Sequence, residues 1–593
     1  MTSIRLNLLL LVLSMLLASC VSGGDTVDLC ILYTTDTHSM ICPYDFHHNQ
    51  EGATSMSNFA TLVREQRAIY GDRCLVFDNG DKLSGSPTAY YYKFADTISE
   101  PLCYRAERLI AFDGVGIGSH DIDIPECLMP KRHDPDLQPP TLCANLIYRQ
   151  TGKPVHTPYT IYERGGVRIA VIGMIAPTNG DWLPHELWNQ FETEDMIECA
   201  SKWIPIIQQQ HHPDVIIGLF SCNKDYSDAV NDYDIDTYKN PAGGRPVAMR
   251  VPGFDLILLG NSSIEAIGQD TNQAGQNVMY VQAGANCQKA GMVRIHLKRR
   301  KDGAYNKRLF TSLIDLKQYE PDPVFSQAVR NAQDSIFLTF NRPIGYLQDC
   351  LLGAEGIYGP DYYRDFINSV QLWYTQADIS IASVIVPSDT VLRPGPLTLR
   401  QVFDIYPVHH QLQQITMTGE EIRRFLEWGY SCQFETMHSP SDPLLQLQKD
   451  PYHHVLYNQA GQPTLLHHPS HYVSAGGIHY TVDLTRPAGE RVTILSRSDG
   501  SPFEMRNLYR VVLNSEQLLD HGKYISRGLN WDREELSLHA IPTQHNSMRK
   551  ILFDYIRQAD TVSFAYRHEW SILPEAFWRE ASSREKGSLD PIW

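Results

Sequence analysis

The sequence predicts an α/β protein of two domains, and three observations carry that reading. The chain has 593 residues, too many for a single hydrophobic core. Short apolar runs alternate with stretches of helical period, the pattern of a layered α/β sheet. A polar turn at Glu320-Pro321-Asp322-Pro323 interrupts the alternation, which then resumes.

The elements follow in order. Strands are expected at Leu29–Thr34, Cys74–Asp78, Gly114–Ile117, Arg168–Ile172, Val215–Leu219, Leu256–Leu259 and Val278–Gln282. Each is a compact run, and most are rich in β-branched residues. Helices are expected between them, such as Ser57–Arg67 and Glu194–His211. After the polar turn comes a helix to about Leu338, so the linker is placed at residues 315–345. The second domain is expected to hold helices at Asp361–Leu372 and Gly419–Gly429, with strands at Asp378–Ala382, Ile478–Leu484 and Tyr509–Asn514. A helix at Ser547–Gln558 leads into a tail with Pro and Trp.

The N-terminus suggests a compartment. Arg5 precedes a mostly apolar run from Leu8 to Leu17, followed by Ala18-Ser19-Cys20. A short positive region, a short apolar region and small residues before a cleavage point read as a secretory signal. Leu17-Ala18-Ser19-Cys20 resembles a bacterial lipobox, which implies cleavage after residue 19 and a lipid on Cys20. The expectation is residues 1–19 as signal peptide, a membrane anchor through Cys20, and a place in the cell envelope, at the outer membrane or facing the periplasm. Eleven further cysteines run from Cys30 to Cys432. None shows zinc-ribbon spacing, and they are read as structural.

Charge excludes one class of partner. The net charge is -17 with no long Lys/Arg run, so a nucleic-acid polymer, which needs a basic footprint, is not expected. A small nucleotide needs only a local site.

The segments after the strands hold the chemistry. They read Thr35-Asp36-Thr37-His38, then Asp78-Asn79-Gly80-Asp81, then Gly118-Ser119-His120-Asp121. Carboxylates and imidazoles on adjacent strand ends can converge on one divalent cation. Three such pieces in order resemble the 5'-nucleotidase and 2',3'-cyclic-nucleotide 2'-phosphodiesterase family of calcineurin-like metallophosphoesterases. In the second domain the likeness rests on Ala377-Asp378-Ile379-Ser380, on the helix start Thr418–Ile422, and on Ser474-Ala475-Gly476-Gly477-Ile478.

The resemblance implies a four-layer α/β/β/α sandwich over residues 20–314 and a C-terminal α/β substrate-binding domain over residues 346–593. It implies two-metal hydrolysis of phosphate esters. By position, Asp36 and His38 would hold the first ion, Asp81 would bridge, and His120 would stabilise the phosphate or leaving oxygen without binding metal. Four other expected ligands are replaced, at Ser119, Ser221, Asn261 and Ser263. Neutral hydroxyls and amides are poor substitutes for imidazole, so the second ion is not expected. The cofactor expectation is one divalent ion on Asp36, His38 and Asp81, or none. In the second case the two carboxylates hydrogen-bond loop amides or face a lysine, Lys82 or Lys224, and one carboxyl is raised by its neighbour.

In the second domain the family's Gly-rich base loop corresponds here to Glu516–Gly522, whose long side chains occupy places meant for close backbone approach. Tyr472 lies near the family's stacking aromatic; it is either a base platform or a packed strand residue. The doublets His47-His48, His211-His212 and His467-His468 are read as solvated. The functional expectation is an impaired homologue that binds a nucleotide, another phosphate ligand or a protein partner. The alternative is a working phosphoesterase with one metal or a rebuilt site.

Overall fold

The computed structural model describes residues 26–119, 121–122, 139–177, 188–225, 243–386, 390–408, 410–458, 461–520, 522–541, 547–564 and 567–586. Cys20 and His120 lie outside them. The chain divides into two units, with the main boundary between Ser335 and Ile336.

The first unit holds two six-stranded sheets. Its strands are β1 (Thr26–Thr34), β2 (Cys74–Asp78), β3 (Gly114–Gly116), β4 (Thr141–Leu142), β5 (Tyr159–Arg164) and β6 (Val167–Ile175). They continue with β7 (Val215–Ser221), β8 (Leu256–Leu259), β9 (Glu265–Thr271), β10 (Asn277–Ala283), β11 (Lys289–Arg299) and β12 (Tyr305–Asp315). One sheet runs β12-β11-β1-β2-β3-β4 and the other β9-β10-β8-β7-β6-β5. The central neighbours β1, β2 and β3 are parallel, as are β6, β7, β8 and β10.

Alternation explains the sandwich. In β1, Leu29, Ile31 and Tyr33 enter a core shared with Ile169, Ile217 and Leu258 of the other sheet. Truncating one such residue to alanine costs about 2–5 kcal/mol. The outer face of the second sheet packs through Ile172, Ile216 and Ile257 on helix α2 (Met196–His211), which supplies Ile204 and Ile207. Asp195 caps α2 by accepting from Ile197 N and Glu198 N at 2.8 and 2.9 Å. On the first sheet lies α1 (Met56–Tyr70), started by a capping box between Ser55 and Asn58 and burying Phe59, Leu62 and Val63. The layers are therefore α/β/β/α, as the resemblance implied.

The segment after β12 belongs with α1. Thr61 Oγ1 donates to Glu320 O at 2.7 Å, Asn58 Nδ2 to Tyr319 O at 2.7 Å, and Arg64 pairs with Asp322. The unit boundary falls inside the following helix, Pro323–Asn341.

The second unit is built on a five-stranded sheet. Its strands are β13 (Ile379–Ser383), β14 (Leu412–Thr418), β15 (Val473–Gly476), β18 (Leu508–Asn514) and β19 (Ala540–Ile541). Between these in the chain lie β16 (Ile478–Asp483) and β17 (Val492–Arg497), which form a smaller sheet with β20 (Trp570–Leu573). Helix Gly419–Gln433 buries Ile422, Phe425 and Leu426 in this unit's core and starts on a Thr418–Glu421 capping box.

Ten cysteines are described, nine of them buried. Among the described residues, no helix is long and apolar enough to cross a membrane.

Candidate functional site

The site forms where β1, β2, β3, β7 and β8 end, at the carboxyl edge where α/β sheets bind ligands. Backbone bonds lock the post-strand loops together. Asp36 N donates to Gly80 O at 2.9 Å, and His38 N donates to Asp81 O at 3.0 Å. Asp36, His38, Asp81 and Asn261 have φ of 49°, 48°, 55° and 54°. Such left-handed backbone is costly for residues with a side chain and gathers where geometry is over-determined.

Asp121 is the clamp between two of these loops. Its Oδ2 accepts from Asp81 N at 2.8 Å and from Gly118 N at 3.0 Å. Its Oδ1 accepts from Lys82 N and Leu83 N, both at 2.9 Å. Glycine at 118 is a steric requirement, because a Cβ there would lie 2.2 Å from Asp81 Oδ1. Gly260 is equally confined: a Cβ would stand 2.1 Å from Thr35 Oγ1 and 3.1 Å from Asp36 Oδ2.

Asp36 is buried, and Oδ2 accepts from Thr35 Oγ1 at 2.5 Å and from the backbone N–H of Asn261 at 2.8 Å. Asn261 Oδ1 in turn accepts from Ser119 Oγ at 3.1 Å. The structure thus brings together Asp36, Asn261 and Ser119. Burial pushes the Asp36 carboxyl well above the ordinary range, and the neighbouring Asp81 charge adds to the shift. His38 Nδ1 bonds Asn286 Oδ1 at 2.8 Å. Ser221 is buried at the end of β7, with no hydrogen-bond partner for Oγ among the described residues. Ser263 is exposed at the start of the turn into β9.

Neither lysine takes an ion's place between Asp36 and Asp81. Lys82 is buried, with Nζ 2.6 Å from Glu107 Oε1 and 3.9 Å from Asp78 Oδ1. Burial alone would lower its affinity for the proton, but Glu107, Asp78 and Asp121 overcome that and raise it. Burial also lifts Asp78 to about 7, against the pull of Lys82. Lys224 Nζ lies 3.6 Å from Asp225.

The donor set does not fit a two-ion centre. Such a centre needs anionic or imidazole ligands on both sides of a bridging carboxylate. Here one side offers the hydroxyl of Ser221 and the amide of Asn261, whose oxygen already accepts from Ser119. Among the described residues, no three His, Cys, Asp or Glu side chains form a group that could hold a metal ion.

Tyr472 requires a correction. It is fully buried among Phe425, Tyr524 and Ala475, and its hydroxyl donates to His467 O at 3.0 Å. No ring face is left for a base, so it is a packing residue. The loop after β18 is closed by side chains. Asn514 and Gln517 form a reciprocal capping box with both bonds at 3.0 Å, and buried Gln517 donates to Ser383 Oγ at 3.0 Å. His48 is exposed and pairs with Asp45 at 2.6 Å, while His211 bonds Tyr159.

Two site residues escaped the sequence reading. Asn286 follows β10 in Gly284-Ala285-Asn286, a turn signature after a strand that could have marked it. Glu107, on helix Leu102–Ile110, carries no local signal.

Residues 356–525 match the family described as 5'-nucleotidase, C-terminal domain. Over those residues the chain carries a 5'-nucleotidase C-terminal domain. It is 23% identical to a 2',3'-cyclic-nucleotide 2'-phosphodiesterase/3'-nucleotidase of Yersinia enterocolitica, over 99% of this chain and 93% of that one. Its fold matches a putative 5'-nucleotidase from Staphylococcus aureus, with TM-score 0.67 and 17% identity over 92% and 100% of the two chains. It also matches a 5'-nucleotidase precursor from Thermus thermophilus, with TM-score 0.55 and 17% identity over 93% and 100%. The fold of this chain is therefore that of these 5'-nucleotidase structures, with the 5'-nucleotidase C-terminal domain at residues 356–525.

Proposed function

We propose that this chain is a lipid-anchored cell-envelope member of the 5'-nucleotidase family that binds a nucleotide or another phosphate-bearing small molecule and hydrolyses it very slowly. The observation that carries the reading is the fate of Asn261. The residue in an expected ligand position spends its N–H on Asp36 and its amide oxygen on Ser119. The Gln517–Ser383 bond in the altered loop after β18 supports the same reading.

The test is metal content of the purified protein, phosphate release from 5'-AMP, 2',3'-cyclic AMP and UDP-glucose, and calorimetric binding of the same compounds. Each tenfold loss of rate corresponds to about 1.4 kcal/mol of barrier. Binding without appreciable turnover is the expected result. Robust, chelator-sensitive turnover that disappears in His120→Ala would overturn it. The anchor rests on Leu17-Ala18-Ser19-Cys20. Labelled palmitate should enter the wild-type chain and not Cys20→Ala; equal labelling of both would refute it.

One observation favours the second reading, a one-ion hydrolase. The bond from His38 Nδ1 to Asn286 fixes the ring, and ligating histidines are usually held this way through their other nitrogen. The same turnover assay separates the two.

A further inference from the structure

In a chain of net charge -17, the segment from Lys298 to Arg308 carries six basic residues and one acid, Asp302. It is the tip of the β11–β12 hairpin, with Lys298, Arg299, Arg300 and Lys301 exposed on one side of the turn and Lys307 and Arg308 on the other. Some of this charge is spent locally. Lys307 pairs with Asp255 at 2.5 Å, Arg300 with Asp302, and Arg299 lies 5.9 Å over the Tyr305 ring. Lys298, Lys301 and Arg308 make no ion pair among the described residues. The nearby acid Asp28 is taken by His296 at 2.6 Å.

The position of this hairpin gives the charge a direction. β11 runs antiparallel to β1, with Thr26 opposite Lys298. The described chain begins at Thr26, so β1 starts at the same end of the sheet as the basic tip. The six residue steps from Cys20 to Thr26 span at most about 20 Å when extended. A lipid on Cys20 would therefore hold this tip within reach of the bilayer surface.

We infer that the Lys298–Arg308 hairpin docks on anionic lipid headgroups beside the anchor. Its orientation toward the bilayer rests on the Cys20 anchor proposed above. A basic patch beside an anchor adds electrostatic attraction to anionic headgroups. Each basic residue near an anionic surface strengthens adsorption about fivefold, and salt screens the effect.

The test uses the chain from position 20 onward carrying Cys20→Ser, which keeps every described element and removes the lipid. It is sedimented with vesicles of phosphatidylcholine alone and of phosphatidylcholine with phosphatidylglycerol, at low and high salt. The protein should pellet with the anionic vesicles at low salt only. Lys298→Gln, Lys301→Gln and Arg308→Gln together should weaken this on the order of a hundredfold while leaving the melting temperature unchanged. Pelleting of the triple variant like its parent, or equal pelleting with neutral vesicles, would overturn the inference. Displacement by inorganic phosphate at matched ionic strength would assign the patch to a free anion instead, and would also overturn it. Palmitate labelling is independent of this assay, so loss of labelling sinks the anchor while loss of vesicle binding sinks only the docking surface.

Discussion

Asn261 holds Asp36 from above: its backbone N–H reaches Oδ2 at 2.8 Å while its side-chain oxygen faces Ser119. That N–H favours the charged form of a buried carboxyl that burial and the Asp81 charge push upward.

Restoring the family residues should reverse this. Ser119→Asn, Ser221→His, Asn261→His and Ser263→His together are expected to bring bound divalent metal from one ion per chain or fewer to two, read by elemental analysis. The φ of 54° at position 261 is tolerable for histidine. Turnover need not return, because Gln517 still closes the loop after β18. No gain in bound metal would remove Asn261 and its neighbours from the site.

Asp121 should matter more for stability than any ligand position. It accepts four backbone N–H bonds, two on each oxygen. In Asp121→Asn the new NH2 must face two of those donors. Bonds to a charged group contribute about 1.5–3 kcal/mol each, so urea unfolding should show a loss of roughly 3 kcal/mol or more. A loss below about 1 kcal/mol would contradict the clamp.

The buried pair Lys82–Glu107 predicts non-additivity. Lys82→Met alone strands a carboxylate, and Glu107→Leu alone strands an ammonium; each should cost about 3–5 kcal/mol. The double variant should recover much of that loss. Additive losses in the double-mutant cycle would show that the pair is uncoupled.

Asp365 predicts a pH dependence. It is buried on helix Tyr362–Thr375, and Oδ2 accepts from Arg567 N at 2.8 Å. Burial lifts its carboxyl to about 7, with Asp361 and Glu569 adding to the effect and the Arg567 N–H opposing it. The folded value is the higher one, so the folded state holds the proton more tightly. Its stabilising contribution is full below about pH 4 and is lost as pH rises through about 7. The loss is at most about 4 kcal/mol. Asp365→Asn keeps the acceptor and removes the titration. Thermal melts of wild type and variant should diverge between pH 5 and 8, with the variant ahead at pH 8; parallel curves would refute this.

Much of the fold was legible because its strands are short β-branched runs with sharp ends. Val215–Leu219 and Leu256–Leu259 needed little more than their apolar character. β12 was not legible, since an edge strand reading Tyr-Asn-Lys-Arg-Leu-Phe-Thr-Ser-Leu-Ile-Asp shows one side to solvent and mixes charge with apolar residues. At the site, Asp36, Ser119 and Asn261 were put in one group by the family resemblance, more than by spacing alone. The partners Glu107 and Asn286 were not, because their contacts cross 25 and 248 positions of chain with no local pattern to announce them. Tyr472 misled because a strand aromatic reads the same whether its ring ends in a core or in a pocket.

The Asp121 clamp has a consequence for how this fold can change. The mould of the loops around Asp36 and Asp81 is cast by main-chain atoms: Gly80 O, Asp81 O and the four amides that Asp121 gathers. None of these atoms belongs to a side chain at 221, 261 or 263. Those positions can therefore trade one chemistry for another while the cast keeps its shape.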